Sequence, residues 1–321
     1  MTLTDEEVVV ISGGVGAARF MRGLIDVVDA QKVTAVVNVA DDMVLHGLRI
    51  SPDIDTVTYT LADAIDPDRG WGLRDESWNA MGALARYGNG DWFSLGDKDL
   101  ATHMQRTSLM NNGATLTEAT EQIAKRWDVR VSVLPVSNDR VSTMVTRADT
   151  SEEISFQEYF VGLQHDVPVS KVRFDNVENA KPTSEVLDAI TRCGTVIIAP
   201  SNPIVSIAPV LAVPGMREAL SSRTGAAVAI SPIVGGKALK GPAANMLTEL
   251  GHRCDAAGVT ELWKDLVDVM LIDDADAHLA SAVSAAGVIP FVTDTIMQTP
   301  QRRARLAQTA LSAAALVRSN P

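Results

Sequence analysis

The sequence predicts an α/β fold, in which a doubly wound parallel sheet carries a largely helical inserted cap. Three observations support this prediction. The first forty residues follow the order strand, glycine turn, helix and strand; buried strand patterns alternate with helical stretches again after residue 180; and the pattern from 71 to 130 is helical. Because strands joined through a helix run parallel, the core is expected to be Rossmann-like.

The opening βαβ unit is the clearest of the predicted elements. Val8–Ile11 is a β-branched run, Ser12–Gly16 is a glycine turn, Ala17–Val28 has apolar residues at helical spacing, and Val33–Val39 is again rich in β-branched residues. The two strands are expected to end at the same edge of the sheet. That edge is where open α/β sheets bind ligands.

The segment 71–130 is interpreted as a helical cap. Helical spacing covers Glu76–Tyr87, Asp99–Met110 and Leu116–Trp127, and a helix-start pattern begins at Thr115. The remaining segments are assigned to the Rossmann-like core: 1–70 and 131–321.

The second core segment begins with a strand-rich part near 141–174. Alternation in two-residue steps predicts strands at Val131–Pro135 and Val141–Val145 around a turn, with more strand near Ile154–Phe160. Apolar runs then predict buried parallel strands separated by helices. These elements are the strands Thr195–Ala199, Ala227–Ile230 and Val267–Ile272 and the helix Ser184–Arg192.

The composition indicates an enzyme of the cytoplasm with small-molecule substrates. The 28 basic and 40 acidic side chains give a net charge of −12, which argues against a nucleic-acid or anionic-lipid surface. Two cysteines without a C-x-x-C pair suit a reducing compartment. The acidic opening residues are unlike a secretory signal, and four prolines interrupt the longest uncharged run, Cys193–Met216, so no membrane span is expected.

The glycine turn is a candidate anion site. Backbone N–H groups at a helix N-terminus favour a phosphate or carboxylate. A dinucleotide fingerprint would need a small residue where Arg19 stands and an acid where Asn38 stands, so NAD binding is disfavoured. No Lys-Ser or Lys-Thr pair follows the glycines, which excludes a P-loop. A tight turn without a ligand is the alternative.

Five acids follow the second strand and point to a divalent cation. Carboxylates are hard oxygen ligands that suit Mg²⁺, which fills its remaining positions with water and substrate phosphate. Alternatively, the acids after Pro52 only form turns, and the pair before it only caps a helix. The five residues are Asp41, Asp42, Asp53, Asp55 and Asp63.

A charged and hydroxylated segment, Leu95–His103, lies close in sequence to Trp71, Trp78 and Trp92. Three tryptophans so close together predict either a platform for a planar ring or the packing of the cap's own core. The single histidines lack the spacing of metal ligands. They are His46, His103 and His165.

A proline-stiffened loop at Ala199–Ile207 follows a buried strand and carries the polar side chains of Ser201 and Asn202. Such a loop could hold a nucleotide base or phosphate, or it could be an ordinary connection. A similar turn further along offers Lys237 and Lys240 for phosphate charge.

Together these segments resemble the 2-phospho-L-lactate transferases of coenzyme F-420 biosynthesis, and more closely the actinobacterial branch that uses an enolpyruvyl donor. The resemblance runs nearly end to end. Its more specific parts are Ser-Pro-Asp-x-Asp-Thr in combination with Gly-Asp-Lys-Asp and Pro-Ser-Asn-Pro. The segments that carry it are Ser12–Gly16, Val37–Asp42, His46–Val57, Leu95–Lys98, Ala101–His103 and Pro200–Pro203.

The resemblance implies a Mg²⁺-dependent transfer without redox chemistry. A guanosine-diphosphate-linked three-carbon acid would react, at the phosphorus that carries the acid, with the terminal ribityl hydroxyl of the deazaflavin Fo. GMP would leave. The actinobacterial likeness favours enolpyruvate over lactate or glycerate, and the family implies a homodimer.

The motif matches also imply residue roles. Catalytic roles fall to Asp55, Asp42 and Lys98; metal binding falls to Asp42, Asp55 and Asp63; and substrate binding falls to Gly13, Gly14, Gly16, Asn38, Asp53, Thr102, Ser201 and Asn202. The glycines would cradle the diphosphate, Ser201 and Asn202 would hold the nucleotide side, and Lys98 and Thr102 would contact Fo or the transferred phosphate.

Two other functions stay open. A related family of gluconeogenesis-factor-like proteins has a similar glycine turn and Val-Ala-Asp-Asp strand end, and binds nucleotide sugars as a regulator without turnover. The Ser-Pro-Asp-x-Asp-Thr and Gly-Asp-Lys-Asp segments favour the transferases instead. A Rossmann oxidoreductase is the third candidate, and Arg19 and Asn38 disfavour it.

Overall fold

The computed structural model describes residues 6–88 and 92–319. The strands are β1 (Val8–Ser12), β2 (Val33–Val37), β3 (Met43–Leu45), β4 (Leu48–Ile50), β5 (Ser132–Pro135), β6 (Ser142–Arg147), β7 (Glu153–Ser155), β8 (Val169–Asp175), β9 (Thr195–Ile198), β10 (Ala226–Ile230), β11 (Ile233–Val234), β12 (Lys237–Ala238), β13 (Val269–Asp273) and β14 (Ile289–Thr293). The helices are α1 (Gly14–Leu24), α2 (Pro52–Leu61), α3 (Asn79–Leu84), α4 (Asp97–Asn111), α5 (Leu116–Arg126), α6 (Ser184–Arg192), α7 (Ala208–Ala212), α8 (Met216–Ser221), α9 (Ala243–Glu249), α10 (Ala256–Trp263), α11 (Ala280–Ala285) and α12 (Pro300–Ser319).

A seven-stranded sheet forms the core, with the order β14-β13-β10-β9-β1-β2-β5. All of its pairings are parallel, for example Val8 with Val33 on one side and with Thr195 on the other. Every residue of β1, β9, β10 and β13 is buried. Because successive side chains of a strand point to opposite faces, both faces of the sheet are covered, which confirms the predicted doubly wound α/β fold.

The strand-rich part of the second segment is a three-stranded antiparallel sheet, β7-β6-β8. The prediction of strand over Ile154–Phe160 is wrong in its second half, because β7 ends at Ser155 and residues Glu158–Gly162 form a π-helix. The aromatic spacing explains the switch. Phe156 stacks on Phe160 with ring centroids 5.4 Å apart, a contact that four-residue helical spacing allows and strand alternation does not.

The segment predicted as the cap contains α3, α4 and α5. Two acids link the start of α4 to the residues before and within α3. Glu76 accepts the backbone N–H groups of Lys98 and Asp99, and Asp97 accepts those of Asn79 and Ala80. The predicted helix from Glu76 starts three residues later because Glu76 serves as a cap for α4. Residues 89–91 of this segment, like 1–5 and 320–321 of the core, lie outside the described residues, and the division into core and cap stays a prediction.

Helix α2 was not predicted as a helix. It begins with Pro52 in its first turn, continues through a β-branched stretch, and buries the eight residues Asp53–Thr60. Asp53 and Asp55 therefore lie in the first turn of a buried helix rather than in an irregular turn. Within the described part of the chain, no helix has the length and apolarity needed to cross a bilayer.

Candidate active site

The strand order of the sheet reverses between β1 and β9. From β1 the chain continues to β2 and β5 on one side, and it later returns to β9, β10, β13 and β14 on the other. Ligands of open α/β sheets bind at such a reversal, outside the carboxyl ends of the strands. The glycine turn follows β1 and the proline-stiffened loop follows β9, so both lie at this crevice.

The glycines of the turn let other chain segments approach closely. A Cβ on Gly16 would lie 2.2 Å from the carbonyl oxygen of Pro200, and one on Gly13 would lie 3.0 Å from Asp53 Oδ2. Gly14 has a φ of +69°, a conformation that L side chains rarely adopt. The fold of the turn thus requires glycine at these positions whether or not a diphosphate binds there.

Ser201 and Asn202 fasten the loop after β9. Ser201 Oγ donates to the carbonyl oxygen of Gly13 at 2.5 Å and accepts from the N–H of Ala17 at 3.2 Å. Asn202 Oδ1 accepts from the N–H of Ile204 at 2.9 Å, at the start of a π-helical turn. Both side chains act here as positioning groups for the loop. Their predicted contact with the nucleotide stays a prediction.

Asp53 lies against the N-terminus of α1. Its Oδ2 accepts from Asn38 Nδ2 at 3.0 Å, and the same amide nitrogen reaches the carbonyl oxygen of Val205 at 3.4 Å. Asn38 therefore links β2, α2 and the loop after β9. Burial raises the pKa of Asp53 to about 6, although the Asn38 amide and the Gly14 N–H act to lower it.

Asp41, which is buried, and Asp42, which is half-buried, complete a carboxylate cluster with the buried Asp53. The Oδ1 atoms of Asp41 and Asp42 are buried without a hydrogen-bond partner, while Asp42 Oδ2 accepts from Ser51 Oγ at 2.6 Å. Burial raises the pKa of Asp41 well above its usual value, and the charge of Asp53 raises it further. Burial also raises the pKa of Asp42. Orphaned, mutually repelling carboxylate oxygens of this kind are suited to a cation.

Asp55 belongs to a different charge network, between α2 and α4. Both of its carboxylate oxygens accept N–H groups from the fully buried guanidinium of Arg106. His103 Nδ1 lies 3.6 Å from Asp55, its Nε2 lies 3.3 Å from Asp99, and Tyr59 donates to Asp99 at 2.6 Å. This network joins the two helices through buried charge.

Within the described residues, Asp55, Asp99 and His103 form the one group of three metal-capable side chains whose ligand atoms all lie within 4.8 Å of one another. The Arg106 guanidinium nevertheless neutralises Asp55, and the charge of Asp55 is among the effects that raise the pKa of Arg106 against the opposing effect of burial. A cation would have to displace this arginine. The structure therefore favours a positioning role for Asp55 over the predicted metal-ligand role.

Asp63 lies away from the carboxylate cluster. It follows the far end of α2, a ten-residue helix about 15 Å long, while Asp53 lies in the first turn. Its side chain is 79% exposed and lies 3.7 Å from Arg74. An exposed acid at the opposite end of the helix does not fit the predicted metal-ligand role.

Lys98 and Thr102 lie on α4, on the side that faces α5. Lys98 is exposed and its Nζ donates to the carbonyl oxygen of Arg74 at 2.8 Å, whereas Thr102 is buried. Both line a cavity of about 450 Å³ together with Arg126 and Trp127. The structure thus groups these two predicted site residues with each other rather than with the glycine turn.

The three tryptophans of the cap segment are not packed in a core. Trp71, Trp78 and Trp92 are 47%, 37% and 39% exposed. The guanidinium of Arg69 lies 5.3 Å from the ring centroid of Trp71 and 4.9 Å from that of Trp78, within the range of cation–π attraction. Packing of a hydrophobic cap core, one of the two interpretations of these residues, does not describe them.

Sequence reasoning missed Arg106 and the part that His103 and Asp99 play around Asp55. Their spacing on α4 was available as a signal, because residues three and four apart on a helix share one face. What the spacing could not give is the partner, since Asp55 lies on another helix.

Comparisons with known proteins give the family of the chain. The chain matches the family described as 2-phospho-L-lactate transferase CofD over residues 8–310. It is 40% identical over 316 residues to a phosphoenolpyruvate transferase of Kitasatospora aureofaciens, with 97% of this chain and 98% of that protein covered. A phosphoenolpyruvate transferase of Mycobacterium tuberculosis H37Rv is 40% identical over 311 residues, with 90% and 94% covered.

A crystal structure of a UPF0052-family protein from Bacillus halodurans superposes with a TM-score of 0.66, covering 95% of this chain and 98% of that one. At 18% sequence identity, this likeness concerns the fold alone. The family match, by contrast, spans the glycine turn, the carboxylate cluster and the loop after β9, and the identity to the transferases extends over nearly the whole chain. The chain therefore belongs to the 2-phospho-L-lactate transferase family CofD, a family of transferases.

Proposed function

We propose that the protein transfers a phosphoenolpyruvyl or 2-phospholactyl group from a guanosine-diphosphate-linked donor to the terminal ribityl hydroxyl of the deazaflavin Fo. GMP is released and the product is (dehydro) coenzyme F-420-0. The family match supports this function, and so do the relatives that are named phosphoenolpyruvate transferases. Those names favour enolpyruvate as the acid that the donor carries.

One observation carries the proposal: buried carboxylates lie beside an anion-binding helix terminus. Asp53 lies against Gly13 at the start of α1, and its charge acts on the pKa of Asp41 and of Asp42. A diphosphate at the same terminus would be repelled by these acids unless a cation lay between them. Acids, a cation and backbone donors are the parts that metal-assisted phosphoryl transfer requires.

The carboxylate cluster fits Mg²⁺. The orphaned Oδ1 atoms of Asp41 and Asp42 are hard oxygen donors, and Mg²⁺ takes one or two carboxylates while keeping water and phosphate as its other ligands. We assign the ion to Asp41 and Asp42, with Asp53 beside them. When bound, Mg²⁺ would neutralise charge on the phosphates during the transfer.

The proposed reaction forms one P–O bond and breaks another. The ribityl oxygen attacks the phosphorus that carries the acid, GMP leaves with the bridging oxygen, and the hydroxyl proton passes to a carboxylate of the cluster. Among the N–H groups that open α1, Gly14 donates to Asp53 and Ala17 donates to Ser201, so those of Val15 and Gly16 hold phosphate oxygens, supported by the positive end of the helix dipole. Asp55 and Arg106 act indirectly, because their ion pair fixes α2 and its first turn against α4.

We assign the acceptor Fo to the cavity between α4 and α5. Trp127 offers an aromatic surface there, and Lys98, Thr102 and Arg126 offer polar and cationic groups. Cavities of this composition hold planar ligands by apolar contact and fix their orientation through a few hydrogen bonds. Lys98 and Thr102 then act on the acceptor side of the reaction.

Calorimetry with GDP, ADP, NAD and a nucleotide sugar, each with and without Mg²⁺, tests the donor assignment. We expect GDP to bind best and to need Mg²⁺. Asp42→Asn should abolish the Mg²⁺ dependence, while Asp63→Asn, an exposed acid at the far end of α2, should leave it unchanged. Preference for NAD would overturn the proposal, and preference for the nucleotide sugar without turnover would favour the regulatory alternative.

A further inference from the structure

Two cationic side chains meet beside the start of α1. A Cβ built on Gly70 would lie 3.6 Å from Lys240 Nζ, 3.7 Å from Arg19 Nη2 and 3.5 Å from Val15 Cγ1. Both charged nitrogens thus lie within 3.7 Å of one point, although they come from parts of the chain that are far apart in sequence. Gly70 itself is buried and has a φ of +77°.

Neither cation has a protein partner in the described part of the chain, residues 6–88 and 92–319. Three neighbouring arginines do: Arg22, Arg69 and Arg74 pair with aspartates at 3.1, 2.9 and 3.7 Å. Two like charges held together repel each other unless an anion joins them. In a chain with 40 acidic residues, their convergence without an acid indicates that the anion comes from a ligand.

The position of the pair relates it to the diphosphate site. Val15 and Arg19 lie four residues apart on one face of α1, and Val15 is the second residue of that helix. The pair therefore continues the positive end of the helix dipole outward along one flank. Arg303 adds to the positive charge of this flank; burial lowers its pKa, and the nearby charges of Arg22 and Arg19 lower it further.

The carboxylate cluster and the cation pair place opposite charges beside the same helix start. Asp53 lies against Gly13, where a phosphate requires a cation to be tolerated. Arg19 and Lys240 need no metal to bind an anion, because their charge is already positive. A guanidinium and an ammonium together match those oxygens of a phosphate or carboxylate that do not ligate Mg²⁺.

We propose that Arg19 and Lys240 bind the acid-bearing end of the donor, meaning its second phosphate and the carboxylate attached through the three-carbon acid. This rests on the proposed function, since it takes a nucleoside-diphosphate-linked acid as the donor. Arg19 then has a role at the position where a dinucleotide fingerprint has a small residue: its length carries charge from the helix to the second phosphate.

Calorimetry of GDP and GMP with matched variants tests this assignment. Lys240→Gln and Arg19→Gln should each weaken GDP at least tenfold and change GMP less than twofold. Lys171→Gln, which removes an exposed lysine from β8 in the three-stranded sheet, is the control and should change neither. The GDP affinity of Lys240→Gln should also fall less steeply with NaCl than that of the parent protein.

Equal losses for GDP and GMP, or a Lys240→Gln variant that binds GDP as Lys171→Gln does, would overturn the assignment. Inorganic pyrophosphate separates this failure from failure of the proposed function. If the parent binds pyrophosphate more tightly than Lys240→Gln does but shows no preference for GDP over other nucleotides, the cation pair stands and the donor assignment falls. Urea unfolding of each variant checks that Arg19→Gln remains folded.

Discussion

Ionisation of Asp53 should destabilise the metal-free protein as the pH rises towards neutrality. The pKa of Asp53 is raised from 3.8 to about 6, mainly by burial, so the folded state binds a proton more tightly than the unfolded state does. Stability contributed by this proton is present below pH 3.8 and is lost as the pH rises through 6. Each pKa unit corresponds to about 1.4 kcal/mol, so ionisation of Asp53 costs about 3 kcal/mol above pH 7.

Urea unfolding in EDTA between pH 4 and pH 8 measures this cost. Asp53→Asn has no proton to lose, but its amide NH2 group must face a donor, Asn38 or Gly14, at a cost that does not depend on pH. The free energy of unfolding of the parent relative to this variant should therefore fall by about 2–3 kcal/mol between pH 4 and pH 8. Asp63→Asn, an exposed acid, should follow the parent at every pH.

A stability cost that appears when Asp53 ionises would mark it as a residue kept for function. A difference between the two proteins that does not change with pH, or that shifts in favour of the parent as the pH rises, would refute this pH dependence.

Three further substitutions, the first with a matched control, test the packing around the site. Gly16→Ala places a Cβ 2.2 Å from a backbone oxygen and should lower the free energy of unfolding in urea by about 1–3 kcal/mol. The control Gly82→Ala meets open space in α3 and should raise it by about 0.5–1 kcal/mol. Equal effects of the two substitutions would contradict the close approach at Gly16. Ser201→Ala leaves two backbone groups without their partner and should lower the free energy of unfolding by about 1–3 kcal/mol. A cost outside this range would argue against a role of Ser201 in holding the loop. Arg106→Gln leaves the buried Asp55 carboxylate without its counter-charge and should lower the free energy of unfolding by about 3–5 kcal/mol. An unchanged free energy of unfolding would disprove the role of this ion pair.

The parallel core could be predicted because its signals are local. Runs such as Val8–Ile11 are buried on both faces, which requires uninterrupted apolar residues, and the glycine turn needs glycine for contacts within a few residues and across the crevice. Helix α2 was missed because its β-branched threonines and valine have the composition of a strand. Pro52 and Asp53 in its first turn are a local helix-start pattern, but the strand-like composition that follows outweighed it, and burial between other elements stabilises the helix.

The position of the candidate site in the fold could be predicted from the sequence, but the partners of several of its side chains could not. Strand ends place Asp41 and Asp42 at the ligand edge, and that inference needs only the topology. The roles of Asp55 and Ser201 could not be derived in this way, because each is decided by a partner that is distant in sequence: Arg106 for the first and Gly13 for the second. Asp63 was grouped with the cluster because α2 was not predicted, and the length of that helix separates Asp63 from Asp53.

Product formation from both substrates tests the central claim most directly. The protein, Fo, the guanosine-diphosphate-linked enolpyruvyl acid and Mg²⁺ are incubated together, and chromatography with mass detection follows GMP and the deazaflavin phosphodiester. Transfer predicts that the two products appear in equal amounts and only when Fo is present. Donor binding without GMP release, or GMP release at the same rate without Fo, would contradict it.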